Sequence, residues 1–364
     1  MLNRPIKRYA QNKLSYLASI HWRAMLKKLT LRHLVHVCHT VAEWKMRRTT
    51  CKSRPFAFRI ESATNCNLKC PLCPTTYRKI GRGQAREMSL KLFSIIHEKI
   101  EDFAWRITFY MEGEPMMNPQ LFNMVELSTR RGKTFTSFST NFTLMRKRLL
   151  GPLFNSRLDW ISISLDGFEQ ETYEKYRVNG KVQDVLQGIA MTMKYRRQLH
   201  LRHPYMEVNM ITFSHIPPQE MDRLRSFCAD CGVDKFRLRP DQTGLLGPYN
   251  RAIERQPASR CHWPWISMSI DVDGSVYACP IALEQRISYG NLGTNSLDEI
   301  WNNHLYVATR EYLNRDGDDR TDLPHLPCYD CRWFGKCPPA TDVIAIRKEW
   351  LRAAKRTVPS VNDI

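Results

Sequence analysis

The stretch Ala57-Phe58-Arg59-Ile60-Glu61-Ser62-Ala63-Thr64-Asn65-Cys66-Asn67-Leu68-Lys69-Cys70-Pro71-Leu72-Cys73 joins two unlike pieces of sequence. From Phe58 to Glu61 its residues alternate apolar and polar, as a strand with two different faces does. Close behind them comes a loop with the spacing Cys-x3-Cys-x2-Cys. A strand that ends in a chemically loaded loop suits an α/β protein, whose sites gather at the carboxyl ends of parallel strands.

The pattern repeats downstream. Strand-like runs are expected at 57–61, 106–111, 134–139, 160–164, 207–213 and 235–238, with helical periodicity between them at 88–103, 118–131, 144–153, 170–199 and 217–230. Strands alternating with helices imply a parallel sheet with right-handed crossovers, either doubly wound or a partial barrel. A Gly- and Pro-bearing stretch at 240–257 reads as a linker. Beyond it, runs at 266–271 and 275–278 flank Asp273-Gly274, a hairpin signal. The expected organisation is a basic helical segment over 1–54, a core over 55–240, a small cysteine-rich module over 258–340 and a polar tail over 341–364.

The chain has 364 residues, of which 43% are hydrophobic and 25% charged, which excludes wholesale disorder and a fibrous architecture. No apolar run approaches the length of a membrane span, and the basic N-terminus leaves no room for a signal peptide, so a cytoplasmic location is expected. The net charge of +19 is mostly local: residues 1–60 hold fourteen Lys and Arg against the single acid Glu43. Apolar residues from Leu14 to Trp44 recur at helical intervals, giving one or two helices with a cationic face. Residues 1–50 are therefore expected either to meet an anionic membrane surface or to pack on the core with their charges in water.

Twelve cysteines in a reducing compartment point to metal or chemistry rather than to disulfides. The thiolates of Cys66, Cys70 and Cys73 suit three corners of a cubane cluster whose fourth iron stays open. A zinc knuckle favours Cys-x2-Cys pairs and a fourth ligand nearby, and no His or Cys lies between Cys73 and His97. A second group comprises Cys261, Cys279, Cys328, Cys331 and Cys337, which also admits a zinc ribbon. Cys228 and Cys231, without a partner pair of their own, read as buried thiols.

Further motifs stand in register behind successive strands: Gly113-Glu114-Pro115, Ser139-Thr140-Asn141, Ser164-Leu165-Asp166-Gly167 and Tyr176-Arg177. Together with the cysteine triplet they resemble the radical SAM superfamily, over about residues 56–337. The resemblance implies a partial (β/α)6 TIM-like barrel in which Cys66, Cys70 and Cys73 hold a [4Fe–4S] cluster that binds S-adenosylmethionine. It also implies that Gly113 and Glu114 receive the methionine amino group. Ser139, Asn141 and Ser164 stand at positions for the ribose, and Arg177 at that for the carboxylate. Two departures from the family pattern are Glu112, where a further Gly is usual, and Leu72, where an aromatic is frequent.

The downstream cysteines resemble the SPASM or shortened twitch extension of the same superfamily. This implies an auxiliary [4Fe–4S] cluster on Cys261, Cys279, Cys328 and Cys331, with Cys337 a substitute ligand or a free thiol. The expected function is that of a radical SAM oxidoreductase. It would oxidise a small polar, sugar- or cyclitol-like substrate, pass an electron to the auxiliary cluster, and draw on a reductant such as flavodoxin or ferredoxin. Two rivals are a peptide-modifying maturase and, from the basic N-terminus, a zinc protein that binds nucleic acid, for which the motifs behind strands two to four would be coincidence.

Overall fold

The computed structural model describes residues 25–77, 86–240, 261–280, 287–315 and 322–329. Cys331, Cys337, most of the 240–257 linker and the 341–364 tail lie outside them. Eight strands form one sheet: β1 (Ala57–Ile60), β2 (Arg106–Thr108), β3 (Phe135–Thr140), β4 (Trp160–Ser164), β5 (Tyr205–Thr212), β6 (Lys235–Pro240), β7 (Ser267–Ile270) and β8 (Val276–Tyr277). Their spatial order is β6-β5-β4-β3-β2-β1-β7-β8, an open sheet parallel throughout except at the β7–β8 hairpin. This is a partial TIM-like barrel.

The helices in chain order are α1 (Leu31–Lys45), α2 (Pro74–Tyr77), α3 (Leu90–Ile100), α4 (Leu121–Thr129), α5 (Leu150–Asn155), α6 (Gln170–Glu174), α7 (Val182–Gln198), α8 (Pro218–Cys231), α9 (Trp263–Ile266), α10 (Leu297–Trp301) and α11 (His304–Asn314). Alternation along the strands explains the layers. Phe58, Ile60, Ile107, Phe138, Ile161, Ile163, Met206 and Val208 turn outward and share one core with Phe93, Ile96, Val125, Val185 and Ile189 of the surrounding helices. The residues between them face inward, and these are largely polar: Arg59, Thr108, Ser137, Ser139, Ser162, Ser164, Glu207 and Asn209. A wall of hydroxyls and charges on the inner face is costly for a filled core and suits a cavity that meets ligands.

The amino-terminal end of the barrel is plugged. Ala57, Phe135, Trp160 and Tyr205 form a separate apolar cluster there with Met25, Leu29 and Val37 from the N-terminal segment. The Trp105 indole donates to the Met25 carbonyl at 3.1 Å, and Lys28 pairs with Asp159 at 3.3 Å. Residues 25–45 of the basic segment thus pack against the barrel.

The sequence periodicity at 170–199 reads as one helix, but the chain breaks it into α6 and α7. Asn179 adopts φ +69° and Gly180 packs against Tyr173, so the intervening turn returns the chain before α7 starts. Gln170 spans the break, its side chain accepting from Val182 N and donating to Gly180 O. The hairpin module is also less separate than its composition suggests. β7 lies beside β1, Trp301 donates to Ser53 O, and the fully buried Arg310 donates to Thr49 O and Pro264 O.

Candidate active site

Cys66, Cys70 and Cys73 sit on the loop that leaves β1, at the carboxyl end of the sheet. Nitrogen donors surround the sulfurs. Leu68 N lies 3.4 Å from Cys66 Sγ, the Asn141 amide donates to the same sulfur at 3.7 Å, and Arg177 Nη1 to Cys70 Sγ at 3.8 Å. Thr75 Oγ1 is 3.0 Å from Cys73 Sγ. Burial pushes the Cys66 thiol up to about 11 and raises that of Cys70, so ligation must displace protons. Among the described residues no three His, Cys, Asp or Glu converge closely enough for a single metal ion. A cubane asks for something different, since each of its three thiolates takes its own iron. The loop fits that demand, with three thiols and donors that favour sulfur carrying charge.

The loop after β2 rests directly on this cysteine loop. A Cβ on Gly113 would stand 1.9 Å from the Ala63 carbonyl oxygen, so only glycine fits, and Glu114 N donates to Asn65 O at 2.9 Å. Glu112, the departure from the family pattern, donates its backbone N–H to the buried Glu61 carboxylate at 2.6 Å. That contact fixes the loop from below. Asn118 ties it further, donating to the Ser62 and Met88 carbonyls.

Glu114 is 2% exposed and accepts three hydrogen bonds, from Thr140 Oγ1 (2.6 Å), Asn141 N (2.7 Å) and Met116 N (3.1 Å). Burial raises its carboxyl, opposed by those bonds. A carboxylate has about four acceptor positions, so capacity remains for a ligand ammonium while the group joins β2 to β3.

Asn141 is turned to the cysteine loop, where its amide donates to Asn67 Oδ1 as well as Cys66 Sγ, and its oxygen accepts from Thr143. Ser139 and Ser164, by contrast, make no side-chain hydrogen bond among the described residues and present open hydroxyls on the inner face. Arg177 stands in the turn between α6 and α7. Its Nε and Nη2 donate to Asp166 Oδ2 at 2.7 and 2.5 Å, and its guanidinium lies over the Tyr176 ring. Although burial works against the charge, Asp166 beside it holds the guanidinium protonated.

Asp166 itself received no role from the sequence, although it stands within the Ser164-Leu165-Asp166-Gly167 motif. It is 0% exposed and also accepts from Ile211 N, so it joins β4, β5 and Arg177. A charged residue inside an otherwise ordinary βα turn was the available signal. Glu61 was likewise missed.

In the second group, Cys261, Cys279 and Cys328 are half-buried. Tyr289 is near two of them: its hydroxyl is pushed up by burial and by Cys328 and Cys279, and it pairs with Thr309 Oγ1 at 2.5 Å. Cys279 packs against Tyr277, as does Met111, the residue just before Glu112. The second cysteine group therefore adjoins the loop that rests on the first. Cys228 and Cys231 stay apart at the end of α8, where burial pushes the Cys228 thiol up to about 12.

Comparison with known proteins agrees with this geometry. The profile of the radical SAM superfamily matches residues 60–227, and that of the SPASM iron-sulfur cluster-binding domain matches residues 261–332. The S-adenosyl-L-methionine-dependent 2-deoxy-scyllo-inosamine dehydrogenase of Niallia circulans is 23% identical over 277 residues, 75% of this chain and 90% of that protein. A probable GTP 3',8-cyclase of Methanococcus maripaludis is 29% identical over 138 residues, 38% of this chain and 45% of that protein. Among solved structures, Streptococcus suis SuiB bound to S-adenosylmethionine shares the fold, with a TM-score of 0.57 and 16% identity over 85% of this chain and 77% of that one. The superfamily works with S-adenosylmethionine on a [4Fe–4S] cluster, to which the second domain adds auxiliary iron–sulfur binding. This chain accordingly belongs to the radical SAM superfamily, as an enzyme with a C-terminal SPASM domain.

Proposed function

We propose that the enzyme oxidises a small polar, sugar- or cyclitol-like substrate. The observation that carries the reading is that Cys279 and Met111, the residue before the cofactor loop, both pack against Tyr277. The alignment over 90% of a 2-deoxy-scyllo-inosamine dehydrogenase supports it. When bound, the first cluster with S-adenosylmethionine supplies a 5′-deoxyadenosyl radical that takes a hydrogen atom from the substrate, and the auxiliary cluster supplies an acceptor for the remaining electron.

The chain's own residues hold and aim these groups. Cys66, Cys70 and Cys73 hold the first cluster. Cys261, Cys279, Cys328 and Cys331 hold the second, with Cys337 in reserve. Glu114 and the Gly113 backbone receive the methionine ammonium, Ser139 and Ser164 the ribose, and Arg177 the carboxylate, steadied by Asp166. Asn141 acts one step back, orienting the cysteine loop. The plug of Phe135, Trp160 and Tyr205 excludes water from the far end of the barrel.

As an enzyme of this superfamily it needs an electron donor and a substrate, and we assign the donor role to flavodoxin or ferredoxin in the cytoplasm. No described helix is long and apolar enough to cross a membrane. The outward face of α1 carries Leu31 (78% exposed), Leu34 and Val35 in a cationic surround, and we propose that it lies on anionic lipid.

The reaction class is tested with Cys328→Ala. The variant is expected to cleave S-adenosylmethionine while forming little oxidised product, read as 5′-deoxyadenosine against a new carbonyl. Normal turnover, or a product isomeric with its substrate, overturns the oxidation and leaves a redox-neutral or peptide-modifying reaction.

A further inference from the structure

We infer that the inner face of β6 binds an oxyanion of the substrate, a phosphate ester or a carboxylate, so that the sugar- or cyclitol-like compound is an acidic one. The inference rests on the function proposed above. Lys235, Arg237 and Arg239 alternate along β6, which places all three on one face. Phe236, between them, turns the other way, toward the helices, where it packs on the core and lies under Arg225. The three cations thus share the face of Glu207 and Asn209, their neighbours in register on β5.

The charge there does not balance. Among the described residues, Glu207 is the one carboxylate that pairs with the row: its Oε1 is 3.2 Å from Arg237 Nε and 3.9 Å from Arg239 Nη2. Lys235 makes no ion pair among the described residues. Three cations thus face one carboxylate among the described residues, and Lys235 is easier to deprotonate, by burial first and by Arg237 beside it. Cations that merely discourage pairing at a sheet edge need no fixed geometry. Here, however, Arg239 Nε donates to Asn209 Oδ1 at 2.8 Å, and Asn209 donates on to Ser162 Oγ at 2.8 Å. The guanidinium forks are held in place yet reachable, with Arg237 31% and Arg239 51% exposed. Preorganised guanidinium groups without enough carboxylate are suited to bidentate oxyanion recognition.

Position supports the substrate rather than a remote ligand. Ser164, Asn209 and Arg237 form one row across β4, β5 and β6. Arg239 is in register with Ile211, whose N–H is held by Asp166, the partner of Arg177. Arg237 and Arg239 therefore stand toward the same mouth of the barrel as the cysteine loop, on its far edge, with Lys235 deeper along the strand.

The test is calorimetric titration of the iron-loaded, full-length enzyme with S-adenosylmethionine present, using inorganic pyrophosphate and, separately, citrate. Saturable binding that weakens with salt is expected for at least one of them. Tighter pyrophosphate binding assigns a phosphate ester, and tighter citrate binding a carboxylate. Arg239→Gln and Lys235→Gln should each weaken binding by about tenfold, the loss expected for one charge-assisted contact. Arg223→Gln, on the outer side of α8, should not. Arg237→Gln is avoided because it strips the buried Glu207 of its nearer partner. Absence of saturable binding, or binding that the β6 variants leave unchanged, overturns the inference. A glutamate-rich peptide that binds through these residues when neither small anion does also overturns it, in favour of a peptide substrate. No turnover is involved, so failure here leaves the oxidation standing, and failure of the Cys328→Ala test leaves the anion site standing.

Discussion

Arg177 and Asp166 form the pair on which most of the cofactor mouth hangs. Removing the guanidinium leaves Asp166 charged with no exposure, and breaking a buried pair in this way costs about 3–5 kcal/mol. Arg177→Ala should therefore lose stability of that order in denaturant titration. It should also lose about 1.5–3 kcal/mol of S-adenosylmethionine affinity if the carboxylate contact is made. An unchanged denaturation midpoint would remove Asp166 from its joining role. Glu61 carries a second residue-scale consequence. Its carboxyl is pushed up to about 8, by burial first and by Asp271 and Glu112 nearby. A carboxyl raised in the folded state holds its proton more tightly there than in the unfolded chain. Its contribution is present below the ordinary pKa of 4.5 and is lost as pH rises through 8. Glu61→Gln should flatten this fall, which amounts to at most about 1.4 kcal/mol per pH unit. Equal slopes for the two proteins between pH 5 and 8 would show that Glu61 ionises normally.

At the scale of elements, α1 is two-faced. Thr30 caps its start by accepting from His33 N, and His33, Thr40 and Glu43 are buried beneath it. Glu43, the single acid of the first sixty residues, accepts from Lys52 N, Ser53 N and Ser53 Oγ, so it anchors the segment that leads into β1. The opposite side exposes Leu31, Leu34, Val35 and Cys38 at helical spacing. Packing and the proposed membrane contact would thus use different faces and not compete. Full-length protein should co-sediment with anionic vesicles and not with neutral ones, and salt should reverse the association. Replacing Leu31, Leu34 and Val35 together by Gln should weaken it while leaving the thermal midpoint nearly unchanged. Sedimentation that the triple variant does not alter would move the lipid contact elsewhere or remove it.

For the molecule as a whole, the sheet joins the segments that carry the described cysteines of both groups, because β7 extends it beside β1. The reconstituted enzyme is expected to hold two clusters, about eight irons per chain. Replacing Cys66, Cys70 and Cys73 together by Ala should leave about four irons and abolish cleavage of S-adenosylmethionine. Iron and sulfide analysis of anaerobically prepared protein reads both numbers. Full iron content in the triple variant would take the first cluster away from this loop. Zinc in place of iron would take both away.

What the sequence determined by itself is local and periodic. Alternation at 58–61 and 160–164, the Asp273-Gly274 turn and the cysteine spacings are properties of neighbours along the chain, and strand positions and the motif order followed from them. The break at 175–181 was hidden, because α6 and α7 share an apolar rhythm and the turn depends on Asn179 and on Gly180 packing back against Tyr173 of α6. The tertiary structure alone decided partnerships. It turned Arg177 toward Asp166, spent the amide of Asn141 on the cysteine loop, set β7 beside β1, and lined Lys235, Arg237 and Arg239 up beside Glu207. Such pairings join residues from 11 to about two hundred positions apart. Nothing along the chain marks them, because distance and burial fix their energies, and both exist only once the sheet has curved around its inner face.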